Sequence, residues 1–294
     1  MDSITVLVST YNGEKYFEEQ LNSILNQKDV NVFVVIRDDG SNDKTLEIAK
    51  KYFNSEKMYI IKGKNVGPAC SFIDLIKICP FRTNYYAFSD QDDFWRPNKL
   101  VRAINMLKES EDNYLYFSNI NRVDENRNII ENNVLSNKIN TTFYDLIFGY
   151  GSMFGCTMVF TSNLFDYIYN YELPNYIVMH DIWVGIIAAY FGKIVYDSNS
   201  EIEYRIHNNN YTKKKSKISS LLNKKYSFSK QCCSFFNIYN DVIEAKDKAN
   251  LYLISSYKKI FFGRSRLTLL YLKKSKENLK HKIKTIIRIY LGVY

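Results

Sequence analysis

Cysteine is scarce in this 294-residue sequence, and nothing in its spacing pairs one cysteine with another. The five residues are Cys70, Cys79, Cys156, Cys232 and Cys233. An odd count without the paired spacing of a zinc site suggests neither a disulfide framework nor a zinc knuckle, and it fits a reducing compartment. The N-terminus also lacks the basic start and the small-residue cleavage site of a secretory signal. We therefore expect the protein to be made and kept in the cytoplasm.

The sequence also lacks a membrane span and the common phosphate-binding loops. Its longest uncharged stretch, residues 146–165, contains three glycines and five serine, threonine or asparagine residues, which favours a buried core segment over a span. No Gly-x-Gly-x-x-Gly follows the first apolar run, and no Gly-Lys-Ser/Thr loop occurs. A nucleotide bound here would therefore need its phosphates held through a metal ion.

Charge divides the chain into two parts. Residues 211–294 carry 20 Lys and Arg against 4 Asp and Glu, whereas residues 1–210 carry 20 against 27. We therefore predict a catalytic domain over 1–210 and a basic, mainly helical region over 211–294, with a boundary near Tyr211. The hydrophobic content of 46% is sufficient for a real core.

Apolar runs alternate with helical periodicity through the first hundred residues. Strands are predicted at 4–9, 32–36, 58–61 and 84–88, and helices at 16–25, 45–52, 71–78 and 99–108. This order implies right-handed crossovers and an open α/β sheet that is mostly parallel. In such a sheet the ligand site lies at the carboxyl ends of the strands.

Three polar clusters follow predicted strands: Ser9–Tyr11, Asp38–Asp39 and Asp90–Asp93. Because the carboxyl ends of parallel strands share one edge, we expect these clusters to converge on one crevice. Taken alone, Asp38-Asp39-Gly40-Ser41 also has the composition of an ordinary turn followed by a helix cap. The convergence, more than any single cluster, indicates a functional site.

The segment Phe88–Trp95 holds three carboxylates within four residues, directly after a strand predicted to be buried. Burying ionised carboxylates costs several kcal/mol unless they are compensated, and a divalent cation is the simplest partner. Oxygen ligands of this kind suit Mg²⁺ or Mn²⁺. The alternative is an acidic turn in which Asp93 caps the helix predicted from Lys99.

These segments together resemble the inverting nucleotide-sugar glycosyltransferases of family 2, especially the rhamnosyltransferase-like branch. The resemblance covers roughly residues 3–210. It rests on Val6–Gly13, Asp38–Asp43, Asn65–Gly67, Phe88–Trp95, Gly155–Phe160, His180–Trp183 and Tyr204–Asn210. The family has the GT-A fold, which implies a mixed, mostly parallel sheet flanked by helices, here with a basic helical C-terminal extension.

The resemblance implies a role for each matched residue. Asp181 would be the catalytic base, although its place before an apolar run also suits a helix cap. Asp92 would be the principal ligand of Mn²⁺ or Mg²⁺, and His207 would contact the metal or the diphosphate. Nucleotide-sugar contacts would come from Ser9, Thr10, Tyr11, Asp38, Asp39, Asn65, Gly67, Asp90, Gln91 and Arg205. Candidates near the sugar or acceptor are Asp93, Trp95, His180 and Trp183, with plain core aromatics as the alternative for both tryptophans.

The resemblance also implies the reaction. A hexose or deoxyhexose, with L-rhamnose favoured over galactose or glucose, would pass from a dTDP- or UDP-linked donor to a saccharide acceptor. One carboxylate acting as base is sufficient for a single in-line displacement with inversion. The usual setting of this branch is bacterial surface polysaccharide synthesis, with a lipid-linked acceptor at the cytoplasmic leaflet.

The basic C-terminal region has its own signal. After the lysines at 213–215, 217, 224 and 225, bulky apolar residues alternate with Lys and Arg, and between residues 267 and 290 one helix face could collect Leu270, Tyr271, Ile283, Ile286 and Ile287. A basic amphipathic helix is typical of peripheral binding to the inner membrane surface. The alternatives are a stripe packed on the catalytic domain and a contact in a homodimer.

Two other function classes have less support. A nucleic-acid-binding protein could use the basic region, but no nucleic-acid motif is present and the acidic part would repel phosphate, so no nucleic acid is expected as a partner. A nucleotidyltransferase on a related sheet would need a glycine- and basic-rich phosphate loop near the first strand, and that loop is missing.

Overall fold

A computed structural model describes residues 1–136, 139–149, 151, 153–208, 210, 227–292 and 294. The chain forms two compact units. The first comprises Met1–Ile139, Ser152–Asn170 and Met179–Asn210, and the second comprises Asn140–Gly151, Tyr171–Val178 and Tyr211–Tyr294. The lysines at 213–215, 217, 224 and 225 and the boundary near Tyr211 lie outside the described residues.

The described strands follow the chain in this order: β1 (Asp2–Thr10), β2 (Val30–Asp38), β3 (Met58–Lys62), β4 (Tyr85–Ser89), β5 (Phe94–Trp95), β6 (Asn113–Ser118), β7 (Asn121–Val123), β8 (Ile129–Glu131), β9 (Val159–Thr161), β10 (Lys193–Asp197) and β11 (Ile202–Arg205). The described helices are α1 (Phe17–Leu25), α2 (Thr45–Lys51), α3 (Pro68–Ile78), α4 (Lys99–Leu107), α5 (Phe143–Ile147), α6 (Ser162–Tyr169), α7 (His180–Phe191), α8 (Phe228–Tyr239), α9 (Ala245–Ser256), α10 (Gly263–Lys274) and α11 (Leu279–Leu291). A short 3-10 helix spans Gly155–Thr157.

The first unit is built on a seven-stranded sheet of order β10-β6-β9-β4-β1-β2-β3. Strands β4, β1, β2 and β3 are mutually parallel, β10 runs parallel to β6, and β9 is antiparallel to both of its neighbours. The predicted mixed, mostly parallel α/β sheet is therefore confirmed. Its four predicted strands are present, and each one extends to within a few residues of the expected limits.

Burial explains why these segments fold as they do. The centre of β1 is fully buried, as expected for a continuous apolar strand inside a parallel sheet. Helix α1 buries Phe17, Leu21 and Ile24 against the core, while Leu25 remains 39% exposed. Most of the described apolar side chains in the uncharged stretch 146–165 are buried, which confirms the prediction of a core segment.

A second sheet of four strands, in the order β5-β11-β7-β8, lies in the same unit. Strand β11 pairs antiparallel with β5, which places Ile202 opposite Trp95 and Glu203 opposite Phe94. This pairing joins segments that are more than a hundred residues apart in the sequence. It brings the residues that follow β11 next to those that precede β5.

Both helix-cap alternatives, for Asp93 and for Asp181, are wrong. Helix α4 begins at Lys99 with Asn98 as its N-cap, so Asp93 does not cap it. Helix α7 begins at His180 with Met179 as its N-cap, and Asp181 lies inside the first turn. A carboxylate there still faces the positive end of the helix dipole, which explains why the local composition indicated a helix start.

The second unit contains α5 and helices α8 to α11. The single amphipathic face predicted between residues 267 and 290 is wrong, because the chain leaves the helix between α10 and α11. In that break the Ser275 hydroxyl and the Lys276 N–H both donate to the Asp145 carboxylate at 3.0 Å. Tyr271 is buried, whereas Ile283 and Ile287 are exposed. Throughout the described residues, no helix is both long and apolar enough to cross a bilayer.

Candidate active site

The carboxyl ends of β1, β2 and β4 are linked by direct hydrogen bonds. The Asp39 N–H donates to the Thr10 carbonyl at 2.7 Å, and the Thr10 hydroxyl donates to Asp38 at 3.3 Å. The Gln91 amide pairs with the backbone of Tyr11 in both directions, at 2.8 and 3.0 Å. The three polar clusters therefore meet at one edge of the sheet, as their positions after strands predicted.

Asp38 shapes the loop that follows β2. Its side chain is fully buried and accepts hydrogen bonds from the Ser41 N–H, at 3.0 Å, and from the Ser41 hydroxyl. These bonds close the turn that leads toward α2. The structure thus places Asp38 as a turn-forming residue within the predicted nucleotide-sugar site.

Asp39 anchors a neighbouring loop. Its carboxylate accepts the N–H groups of Val66 and Gly67, both at 2.9 Å, and is paired with Arg37. Asn65, at the start of this loop, is exposed. The guanidinium of Arg37 also contacts Asp74 at 3.2 Å and is almost fully buried.

This network reaches Ser9 through one more side chain. The Arg37 guanidinium donates to the Ser71 hydroxyl at 3.1 Å, and Ser71 is hydrogen bonded to Ser9 at 2.6 Å. Sequence reasoning missed Arg37. Its position could have indicated a role, because Arg37 lies between the predicted strand 32–36 and Asp38. A buried arginine at that place needs acidic partners.

Asp181 lies close enough to Asp90 to affect its protonation. Burial, together with the neighbouring carboxylates of Asp92 and Asp181, raises the pKa of Asp90 to about 7. Burial raises the pKa of Asp181 to about 6, although its Oδ1 accepts the Ile182 N–H at 2.7 Å. Two carboxylates of one segment, Asp90 and Asp92, therefore share a crevice with the distant Asp181, and a cation would relieve their repulsion there.

Asp92 is held against His207. The distance from Asp92 Oδ2 to His207 Nε2 is 2.8 Å, and the His207 ring packs on Tyr16 with centroids 5.0 Å apart. Two donor atoms at this separation fit neighbouring ligands of one ion with bonds of about 2.1 Å, the length typical of Mg²⁺. The carboxylate and the imidazole thus form a donor set suited to a divalent cation.

Arg205 positions the backbone of this pair. Its Nε donates to the Asp92 carbonyl at 3.0 Å, its Nη1 donates to the Glu125 carbonyl at 2.6 Å, and its Nη2 donates to Glu19. The guanidinium also stacks over the Tyr16 ring, 4.5 Å from the centroid. Only 2% of Arg205 is exposed, so the structure places it beneath the site and directs each of its three nitrogens to the protein.

We expect Arg205→Lys to destabilise the fold and weaken the site together. An ammonium cannot reach the Asp92 carbonyl, the Glu125 carbonyl and Glu19 at once, so the free energy of unfolding should fall by about 2 kcal/mol or more. The matched control is Arg122→Lys, because Arg122 pairs with Glu131 at the surface and should cost less than about 1 kcal/mol. Urea unfolding measures the free energy of unfolding of both variants. Equal losses of stability in the two would contradict the positioning role of Arg205.

Asp93 points into the interior. It is fully buried, its Oδ1 accepts the Arg205 N–H at 3.3 Å, and the Cys156 thiol lies within hydrogen-bond reach of its carboxylate. Burial and the nearby Asp92 and Asp90 raise its pKa well above the usual value. The ligand atoms of Asp90, Asp93 and Cys156 lie within 4.8 Å of one another.

Sequence reasoning missed Lys99 and Cys156, which both lie near the Asp93 carboxylate. Lys99 is 1% exposed, with its Nζ 3.7 Å from the centroid of the Trp95 ring. Burial lowers the pKa of Lys99 to about 7. No local pattern could reveal this, because a lysine at the start of an amphipathic helix is ordinarily solvated.

The aromatic candidates for sugar contact lie in the core. His180, Trp95 and Trp183 are 4%, 1% and 1% exposed, so they have almost no surface to offer a sugar ring. The His180 ring stacks on Phe72 at 4.0 Å, and a Cβ on Gly155 would lie 2.4 Å from its Nε2, so a side chain at position 155 would collide with it. Burial lowers the pKa of His180 to about 3.

Known sequences match a large part of this chain. The model of glycosyl transferase family 2 matches residues 5–170. The dTDP-rhamnosyl transferase RfbG of Shigella flexneri is 40% identical over 118 residues, which is 38% of this chain and 40% of that protein. The uncharacterized glycosyltransferase RT0329 of Rickettsia typhi is 23% identical over 69% of this chain and 64% of its own length. The chain thus spans less than two thirds of these curated relatives.

Comparison with solved structures covers nearly the whole chain. S. aureus TarS 1-349, crystallised in complex with UDP-GlcNAc, superimposes with a TM-score of 0.62 over 99% of this chain and 90% of that one. The sequence identity is 17%, so the likeness concerns the fold. The family match covers more than half of the residues. The chain belongs to glycosyl transferase family 2.

Proposed function

We propose that the protein is a metal-dependent, inverting hexosyltransferase. It moves a hexose or deoxyhexose from a nucleotide diphosphate sugar to a saccharide acceptor in bacterial surface polysaccharide synthesis. The observation that carries this proposal is the contact of Asp92 with His207 at 2.8 Å, in a crevice where Asp90 and Asp181 are close enough to interact.

Asp181 would act as the base. The attacking hydroxyl must lose a proton, and a positioned carboxylate with a pKa of about 6 is both ionised and basic near neutral pH. A single carboxylate is sufficient for one displacement with inversion. The position of Asp181 in the first turn of α7, within electrostatic reach of Asp90, supports this role.

Asp92 and His207 would hold Mn²⁺ or Mg²⁺. A bound divalent ion supplies positive charge that stabilises the leaving nucleoside diphosphate. The imidazole nitrogen is a softer ligand than Mg²⁺ prefers, so this donor set favours Mn²⁺. Arg205 would contribute by fixing the Asp92 backbone instead of contacting phosphate.

The donor we propose first is dTDP-L-rhamnose, because a relative that is 40% identical over its matched part is a dTDP-rhamnosyl transferase. A UDP-linked hexose is the second choice, since the fold is shared with a protein crystallised with UDP-GlcNAc. We further propose a lipid-linked acceptor and a peripheral position on the cytoplasmic face of the membrane, supported by the excess of 20 basic over 4 acidic residues in 211–294. A homodimer through that region is the alternative use of the same residues.

A donor screen tests the proposal. Purified protein is incubated with dTDP-L-rhamnose, dTDP-glucose, UDP-galactose, UDP-glucose or UDP-GlcNAc, with Mn²⁺, Mg²⁺ or a chelator, and released nucleoside diphosphate is measured. We expect one dTDP- or UDP-sugar to be turned over, and the chelator to abolish its release. Release that persists in the chelator would contradict metal dependence, and neither release nor binding of any donor would contradict the function.

A further inference from the structure

Two adjacent phenylalanines of the second unit stand in solvent. Phe261 is 81% exposed and Phe262 is 69% exposed, in the turn between α9 and α10. Their ring centroids are 4.3 Å apart, so they form one projecting aromatic pair. Single exposed apolar residues are ordinary on protein surfaces, but a continuous apolar patch marks a contact site.

The turn is built so that both rings stay outside. A Cβ on Gly263 would lie 1.9 Å from the Tyr257 carbonyl oxygen, so only glycine allows the chain to pack this closely on the end of α9. The Gly263 N–H donates to the Ile260 carbonyl at 2.8 Å. Phe262 has a φ of 54°, a left-handed conformation that is uncommon for a bulky residue. The backbone therefore fixes the outward direction of the pair.

The C-terminal end of α11 lies beside this turn. A Cβ built on Gly292 would be 3.6 Å from the Arg264 Nη2 and 4.0 Å from the Lys258 Cε. At that end Tyr290 and Leu291 are 48% and 54% exposed. The end of α11 thus lies next to the two basic side chains that flank the aromatic pair in sequence.

An exposed apolar stripe continues from this end along α11. Its members recur every four residues and therefore share one face of the helix. They are Leu279, Ile283, Ile287 and Leu291, with exposures of 74%, 50%, 43% and 54%. The opposite face of α11 is the one that packs, since Thr285 and Ile289 are buried. We call Phe261, Phe262 and this stripe the apolar surface.

The charge around the apolar surface selects its partner. Between residues 258 and 288 the chain carries eleven Lys and Arg and a single acidic residue, Glu277. In a symmetric pair of copies the same basic patch would face itself, which like-charge repulsion disfavours. An anionic bilayer matches both features, because its interface takes up aromatic rings and its headgroups attract lysine and arginine.

We propose that the apolar surface docks on an anionic lipid bilayer, with Phe261 and Phe262 inserted at the level of the headgroups. Lys258 and Arg264, which flank the inserted pair, face the lipid phosphates. The inference rests on the proposed function in one respect only. If the protein is that enzyme, docking would serve to hold it next to a lipid-linked acceptor.

Vesicle flotation of the full-length protein tests this. Vesicles of phosphatidylcholine, alone or mixed with phosphatidylglycerol, are compared for the parent and for Phe261→Ser combined with Phe262→Asn. Asparagine tolerates the left-handed conformation at 262 better than phenylalanine, so the turn should persist. We expect binding to the mixed vesicles to weaken about tenfold or more, which corresponds to about 1.4 kcal/mol, and binding to phosphatidylcholine alone to be weak for both proteins.

The matched control is Phe53→Ser in the first unit, where Phe53 is 54% exposed. It should bind mixed vesicles like the parent. Three results would overturn the proposal. They are parent-like binding by the double variant, binding of the parent to neutral vesicles as strong as to mixed ones, and a loss of binding in Phe53→Ser as large as in the double variant. So would conversion of a dimer to a monomer in sedimentation by the double variant with vesicle binding unchanged.

Nucleoside diphosphate release is measured on the same preparations without vesicles. Vesicle binding without release would reject the proposed function and leave the docking surface standing. Release without vesicle binding would reject the docking surface and leave the proposed function standing. Equal release by the parent and the double variant also shows that the variant is folded.

Discussion

Replacing Asp181 by asparagine is expected to abolish sugar transfer while the donor still binds. The amide keeps the shape of the side chain and can still accept the Ile182 N–H, but it cannot take a proton from the acceptor hydroxyl. Loss of a positioned general base should lower kcat by about 10²–10⁴-fold. Transfer is followed with the donor found by the screen, and donor affinity is measured by calorimetry. Asp166→Asn, which alters an exposed carboxylate of the same unit, should be neutral.

The pKa of Asp181 predicts how the transfer rate of the parent protein depends on pH. Burial raises the pKa of Asp181 from 3.8 to about 6, and a general base must be ionised to act. The rate should therefore fall about tenfold for each pH unit below 6 and level off above it. The residual rate of Asp181→Asn should lack this limb. Normal transfer by Asp181→Asn would exclude the assignment.

A raised carboxyl pKa also has a consequence for stability. The folded state holds the Asp181 proton more tightly than the unfolded state, so stability from this group is present below pH 3.8 and is lost as the pH rises toward 6. Asp181→Asn removes that cost. Its free energy of unfolding should exceed that of the parent by about 3 kcal/mol at pH 8 and match it at low pH.

Removing either member of the Asp92 and His207 pair is expected to weaken metal-dependent donor binding by at least about tenfold. Asp92→Asn loses the charge that attracts the cation, and His207→Gln loses the ring nitrogen that lies 2.8 Å from Asp92. If both side chains hold one ion, the double variant should lose less than the sum of the two single losses. The Mn²⁺ concentration that gives half-maximal nucleotide release is the measurement.

A surface carboxylate provides the control for this second experiment. Asp112 pairs with Lys193 in solvent, and Asp112→Asn should leave Mn²⁺ activation unchanged. Unchanged activation in Asp92→Asn would rule out Asp92 as a ligand. Additive losses in the double variant would indicate that His207 acts on a different part of the site.

The local pattern of residues was enough to predict the sheet and one edge of the site. Continuous apolar runs can be satisfied only by burial on both faces, so β1, β2 and β4 were recognisable without any tertiary information. Polar residues directly after such strands must emerge at the same edge, because parallel strands all end there. The sequence by itself thus determined that Thr10, Asp39 and Gln91 would meet.

Tertiary structure decided what lies beneath that edge. The pairing of β5 with β11 carries Arg205 and His207 to Asp92 across more than a hundred residues, and only packing selects such a partner. Packing likewise buried Lys99 and His180, although each is a polar residue at the start of a helix, where a side chain is often solvated.

In the second unit, too, packing decides which segments come together. Composition indicated a basic region after residue 210, yet the unit also takes in Asn140–Gly151 and Tyr171–Val178, and it breaks its expected helix where Asp145 accepts hydrogen bonds from residues 275 and 276. Charge and periodicity are properties of a segment, and the sequence determined them. Which distant segments a segment buries against depends on the free energy of the whole fold, so only the tertiary structure decided that.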